Sequence, residues 1–228
     1  MSNSPLVSYT ALSPNCSPRT GKIDRITIHH MAGVVTVEQC GNTFASPARQ
    51  ASANYGIGND GRVGLYVPED KRSWCSSSTA NDNRAVTIEV SNSEALYPWP
   101  VSAAAYMALI ELCADICKRN GIEKLVYTGD TTGNLTAHRW FAATQCPGDY
   151  LYERFPAIAE EVNRRLREND EEDDMTYYKH LSDVPEWYKP AVQKAIDAGA
   201  LEGTGDGINV SEDLCRTLTV LDRMGKMD

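Results

Sequence analysis

The sequence predicts an α/β fold: a central mixed β-sheet flanked by helices, followed by a small helical C-terminal domain. Three observations carry this. Short β-branched runs alternate with helical apolar spacing along the first 167 residues. The 228 residues are 42% hydrophobic and 23% charged, with 16 Gly and 11 Pro, which suits a globular chain with a proper core. The apolar pattern then breaks at an acidic run, residues 168–174, and resumes behind it.

Arg25-Ile26-Thr27-Ile28 alternates and predicts a strand that delivers His29-His30 at its end. A second strand near Asn54 to Gly58 meets Asn59-Asp60-Gly61, a hairpin turn signal, and returns as Arg62 to Val67. Ala85 to Val90 is a third strand, apolar enough to be central apart from Glu89. Ser102 to Arg119 predicts a helix, with Ser102 as N-cap and the Gly121 region as its stop. Tyr150 to Arg167 predicts an amphipathic helix through Leu151, Phe155, Ile158, Ala159, Val162 and Leu166. Residues 168–174 repel themselves and read as a solvated linker. The domains are therefore 1–167, the acidic linker 168–174, and 175–228. The last is built around Trp187, Val192, Ile196, Leu201, Leu214, Leu218 and Leu221, and is marginal alone.

The net charge is −9, from 22 basic and 31 acidic residues. Residues 1–167 carry 16 of each sign, 168–174 six acids and no base, and 175–228 six basic and nine acidic residues. The large domain is neutral and has no basic stripe, which argues against nucleic acid as a partner. No apolar run approaches the roughly 20 residues of a membrane span, and Met1 to Ser8 does not read as a signal peptide. The expected location is a cytoplasm until something else releases the protein.

Seven cysteines without a CxxC pair do not suggest a disulfide framework. Cys113 and Cys117 read as small core hydrophobes. Cys146 differs: it lies eight residues after His138 in one loop, ahead of Pro147-Gly148. Imidazole and thiolate suit zinc, and His29 as a third ligand leaves one position open, the count of a catalytic site. Spacing alone leaves a chance pairing open, and does not choose between His29 and His30. Glu89 is costly inside an apolar strand unless it is paired or functional.

Thr27 to Gly33, Ala51 to Gly61 and His138 to Gly148 together resemble the zinc-dependent N-acetylmuramoyl-L-alanine amidases of the type 2 amidase and peptidoglycan-recognition family. The resemblance runs in order over nearly all of residues 20–167, and is strongest to bacteriophage endolysins of the clostridial type. It implies Zn2+ on His29, His138 and Cys146, with His30 on the other face or beneath the metal. It implies Glu89 as the base for the water, and Thr144 as an oxyanion donor. The Tyr that some relatives place before the Asn or His of the second strand is here Ala53, with Tyr55 two further on. Trp74-Cys75 stands where many relatives have Trp-His. Asn54, Trp74, Asn81, Asn83 and Arg139 are candidates for the sugar-peptide groove, and Arg139 could equally pair with a local acid.

Leu181 to Val192, Ala195 to Gly199 and Gly203 to Gly207 resemble one S-layer homology repeat, which departs from the pattern at Cys215-Arg216-Thr217-Leu218. This implies attachment to a secondary cell-wall polymer through Trp187 and Tyr188; the alternative is a helical hairpin that packs on the large domain or on a copy. Glu171-Glu172 ahead of Met175 resembles a ribosome-binding site before an internal start. A 175–228 fragment assembling with the full chain, or a homo-oligomer, is the partner this implies. The expected function is an endolysin that cuts peptidoglycan between N-acetylmuramic acid and L-alanine by zinc-activated water. The alternatives are a peptidoglycan-binding module without catalysis and a bacterial wall-remodelling amidase.

Overall fold

The computed structural model describes residues 3–173, 176–203 and 205–227, and the chain divides into two compact units, residues 1–167 and 168–228. The first unit opens with β1 (Val7–Thr10), β2 (Cys16–Pro18) and β3 (Arg25–His30), then α1 (Val37–Ala45), β4 (Tyr55–Ile57), β5 (Val63–Leu65), β6 (Lys71–Ser73) and the short α2 (Thr79–Asp82). It continues through β7 (Ala85–Val90), α3 (Ala103–Asn120), β8 (Leu135–Ala137), the short α4 (Asp149–Tyr152) and α5 (Phe155–Asp173).

Six strands form the main sheet in the order β1-β5-β4-β7-β3-β8. β4, β7, β3 and β8 run parallel, while β5 is antiparallel to β4 and parallel to β1, which makes the sheet mixed. All six residues of β3 are buried, as expected of a strand covered on both faces. Ile26, Ile28, Val86 and Ile88 join Leu109 and Ile116 of α3 and Ile158 and Val162 of α5 in one core. Cys113 and Cys117 lie there too.

The helix ends follow local chemistry. Ser102 caps α3 by accepting the Ala105 amide, and Gly121 stops it in the left-handed region at φ 66°. A Thr36–Gln39 capping box starts α1, an element absent from the periodicity reading although its signature is in the sequence. The helix expected over Tyr150 to Arg167 is two pieces, and α5 runs to Asp173. The acidic run is thus helical up to that residue: Glu has good intrinsic propensity, and extending a formed helix costs far less than nucleating one. Asp174, Met175 with its internal start, and Thr204 lie outside the described residues.

A buried ionic cluster braces one edge. Glu69 is wholly buried; its carboxylate accepts from Arg119 at 2.7 and 3.0 Å, from Asn120 at 3.0 Å and from the Tyr55 hydroxyl at 2.7 Å. Tyr55 is therefore committed to structure, at 0% exposure, and takes no part in a surface site.

In the second unit, β9 (Tyr177–Tyr178) pairs antiparallel with β10 (Val210–Ser211), a ladder the sequence does not reveal, and α6 (Lys189–Asp197) and α7 (Glu212–Arg223) follow these two strands in turn. Val184, Tyr188, Val192, Val210 and Cys215 form the core. Trp187 is 67% exposed, but Tyr188 is buried. The expectation that both aromatics face a ligand is thus corrected: successive residues ahead of a helix diverge, and the small core claims the second. No described helix is long and apolar enough to cross a membrane.

Candidate metal centre

Parallel strands in register place side chains in rows, and one row collects the chemistry. Ile28 pairs with Ala137, so the next residues, His29 and His138, follow side by side where β3 and β8 end. On the other flank of β3, His29 pairs with Glu89 of β7. The row lies at the carboxyl ends of the strands, where open α/β sheets hold ligands. It ends on Gly56 of β4, opposite Glu89.

Cys146 reaches the row through a braced loop. The Arg139 amide donates to the Cys146 carbonyl at 3.1 Å, and the His30 amide donates to Cys146 Sγ at 3.4 Å. One donor atom each from His29, His138 and Cys146 lie within 4.8 Å of one another, and the two imidazole centroids are 4.6 Å apart. Nε2 of both histidines is buried without a hydrogen-bond partner. Orphaned imidazole nitrogens in a buried site are costly unless something fills the space. Two imidazoles and a thiol at this separation fit Zn2+, with one position left over. Burial, and then their mutual proximity, holds His29 well below the ordinary imidazole value; burial also lowers His138. Both are neutral and able to ligate. His30 belongs to neither donor group among the described residues, and its ring packs edge-on against Trp99 at 5.2 Å.

Glu89 lies against a cleft of about 630 Å³ that His138, Trp74, Cys75, Arg49 and Asp82 also line. Burial pushes its carboxyl up to about 8, against the opposing pull of the Arg49 guanidinium. Its Oε2 is buried and unpartnered, whereas Oε1 accepts from the Cys75 thiol at 3.9 Å. Three non-glycine residues on the cleft wall, Ala32, Gln50 and Ser77, have positive φ. Such backbone costs about 1–3 kcal/mol each and gathers at functional sites.

The remaining sequence candidates divide. Trp74 lines the cleft, with its indole N–H held by Ser17 Oγ at 2.8 Å. Asn54 does not reach it: the side chain is wholly buried, donates to the Val67 carbonyl and accepts from the Thr87 amide, so it staples backbone. Asn81 is likewise buried, against Thr27 and Arg25. Arg139 pairs with Asp149 at 3.0 Å and, with Thr144, lines a second, smaller cleft of about 200 Å³. The Thr144 hydroxyl accepts the Cys146 amide at 3.1 Å.

Cys75 is the residue whose place the sequence did not reveal. Its Sγ lies within 4.8 Å of donor atoms of both His29 and Glu89. Asp82, 1% exposed, fixes the loop by accepting the amides of Cys75 at 3.0 Å and Ser76 at 3.2 Å and the Ser76 hydroxyl at 2.6 Å.

Comparison with known proteins now places the chain. No curated protein sequence matches it. Among solved structures, PlyL superposes with a TM-score of 0.55 at 15% identity, covering 68% of this chain and 95% of PlyL. A mutant endolysin from Bacillus subtilis gives 0.55 at 15%, covering 68% and 97%. A selenomethionine derivative of AmpD gives 0.50 at 19%, covering 70% and 99%. At these identities the likeness is one of fold. The family profile for N-acetylmuramoyl-L-alanine amidase matches residues 19–149, which hold every residue of the row together with Cys75 and Cys146. The chain belongs to the N-acetylmuramoyl-L-alanine amidase family, whose substrate is peptidoglycan.

Proposed function

We propose that the chain is a zinc-dependent endolysin that hydrolyses the amide between the lactyl group of N-acetylmuramic acid and L-alanine. The observation that carries this is the His29, His138 and Cys146 donor set, within 4.8 Å, beside the unpartnered Oε2 of Glu89. Zn2+ held there supplies a Lewis acid for the scissile carbonyl and for a water. Glu89 accepts the proton of the attacking water at Oε2 and returns it to the leaving nitrogen of L-alanine. Its raised affinity for protons suits a group that must both take and give one near neutral pH. The His30 amide steadies the Cys146 sulfur, and the Thr144 hydroxyl braces the same loop by accepting the Cys146 amide.

A phage lysin that waits in the host cytoplasm until the membrane is opened is the biology this reading favours, on the resemblance of residues 20–167 to phage endolysins. The second unit acts in this reading as a wall anchor, with exposed Trp187 as its contact. Equal sedimentation of wild type and W187A with wall sacculi would remove that contact.

Mass spectrometry of digests of purified peptidoglycan tests the main reading, with zinc-loaded wild type and E89A compared at equal metal content. Free L-alanine amino termini are expected from wild type alone. No product from wild type on several wall types overturns the enzyme and leaves a binding module.

A further inference from the structure

Cys75 takes no part in the chemistry just described, although its thiol sits against the residue that carries it. Sγ, a nitrogen of His29 and a carboxylate oxygen of Glu89 all lie within 4.8 Å of one another, and Sγ–H donates to Glu89 Oε1 at 3.9 Å. The two oxygens of Glu89 are thereby made unequal: Oε1 is engaged and Oε2 is free and buried. A terminal carboxylate torsion is broad, so a glutamate without such a contact samples many planes.

The thiol is itself held in place. β6 pairs with β2 through Ser73 and Cys16, and the turn that follows is gripped by Asp82 through the amides of Cys75 and Ser76. The Trp74 amide donates to Ser52 Oγ at 3.1 Å, so the backbone is anchored on both sides of Cys75. A buried, wholly hydrogen-bonded carboxylate thus fixes the loop, and the loop fixes the sulfur.

We propose that Cys75 is a positioning residue for Glu89: its S–H contact with Oε1 sets the carboxylate plane so that Oε2 faces the reacting centre. The inference rests on the reading of Glu89 as the proton-transfer group. A thiol is a weak donor, so the contribution is one of orientation rather than of binding strength. The effect falls on kcat and spares KM, because Cys75 acts on the group that moves the proton.

The test compares zinc-loaded wild type, C75A, E89D and C75A/E89D on purified peptidoglycan, with metal content measured independently. C75A is expected to lower kcat about tenfold at unchanged KM, the scale of a misdirected catalytic group. In E89D the shortened side chain has already left the thiol, so adding C75A changes kcat less than about twofold. An equal loss in both backgrounds overturns the proposal, as does an unchanged kcat in C75A. The cobalt-substituted proteins are expected to keep the same thiolate-to-metal absorption with and without Cys75; its decrease in C75A makes Cys75 a ligand and overturns the proposal.

A readout free of turnover separates this inference from the reading beneath it. The S–H stretching band of Cys75, assigned as the one missing in C75A, is expected to move to higher frequency in E89A as the acceptor is lost. An unmoved band overturns the contact. A moved band with no cleavage by wild type upholds the contact and fails the enzyme.

Discussion

Glu89 stands directly beside His29 on the neighbouring parallel strand, in register, so a proton acceptor and a metal-type donor share one pleat of the sheet. Neither residue depends on a mobile loop for its place. The relation is set by strand pairing from Arg25↔Ala85 onward, and a one-residue slip of β3 would turn His29 to the opposite face of the sheet.

That rigidity makes the donor set separable from the fold. C146A is expected to lower zinc affinity by about 100-fold or more while far-ultraviolet circular dichroism stays unchanged, because the loop is also held by its own backbone bonds. Equilibrium dialysis against a chelator, followed by metal analysis, measures it. Equal zinc retention in C146A and wild type would remove the sulfur from the site.

Without metal, Glu89 burdens the fold in a pH-dependent way. Its carboxyl is raised by burial from 4.5 to about 8, so below pH 4.5 it is protonated in both folded and unfolded chains and costs nothing. Between these values the unfolded chain ionises first, and stability falls as pH rises; above about 8 the penalty is complete. Metal-free E89Q is therefore expected to match metal-free wild type near pH 4 and to exceed it at pH 8, by on the order of a few kcal/mol. Parallel thermal melts of the two proteins across that range would contradict the assignment.

The Glu69–Arg119 pair predicts a different signature. Replacing Arg119 with alanine leaves a wholly buried carboxylate with the Asn120 amide and the Tyr55 hydroxyl as its remaining side-chain partners. Breaking a buried pair from one side costs about 3–5 kcal/mol. Urea unfolding is the measurement, and a loss under about 1 kcal/mol would show that the cluster is not a brace.

Gly56 completes the row, and its lack of a side chain is required. A Cβ there would come within 2.6 Å of Tyr66 Cε2 and 2.8 Å of its hydroxyl, on a ring that is wholly buried and tied to the Val37 carbonyl. Gly56→Ala is expected to destabilise by about 1–3 kcal/mol through overpacking. Calorimetry that shows no shift in Tm would mean that Tyr66 yields freely.

Much of this was legible in the sequence, for reasons that differ by residue. β3 and β7 were readable because they are central, continuous and β-branched; α3 was readable because Ser102 and Gly121 mark both ends. His29, His138, Cys146 and Glu89 were legible because metal donors and a charged residue in an apolar strand are rare enough to stand out. Asn54 misled because an amide suited to a sugar groove is equally suited to stapling backbone, and only burial separates the two. Tyr188 misled for the same kind of reason, as an aromatic that serves a small core. Cys75 stayed hidden because its partner, Glu89, is fourteen residues away and is reached only once Asp82 has folded the intervening loop back.

The row across the sheet also sets an order of events during synthesis. His29 and Glu89 leave the ribosome early, but His138 and Cys146 belong to a strand and loop that close the opposite flank of β3. Until Cys146 has been made, the His29, His138 and Cys146 set lacks one or two of its three donors, and the chain carries only the alternative grouping of His29, Cys75 and Glu89. In the proposed reading, the complete donor set is thus withheld by topology until translation of the first unit is nearly done.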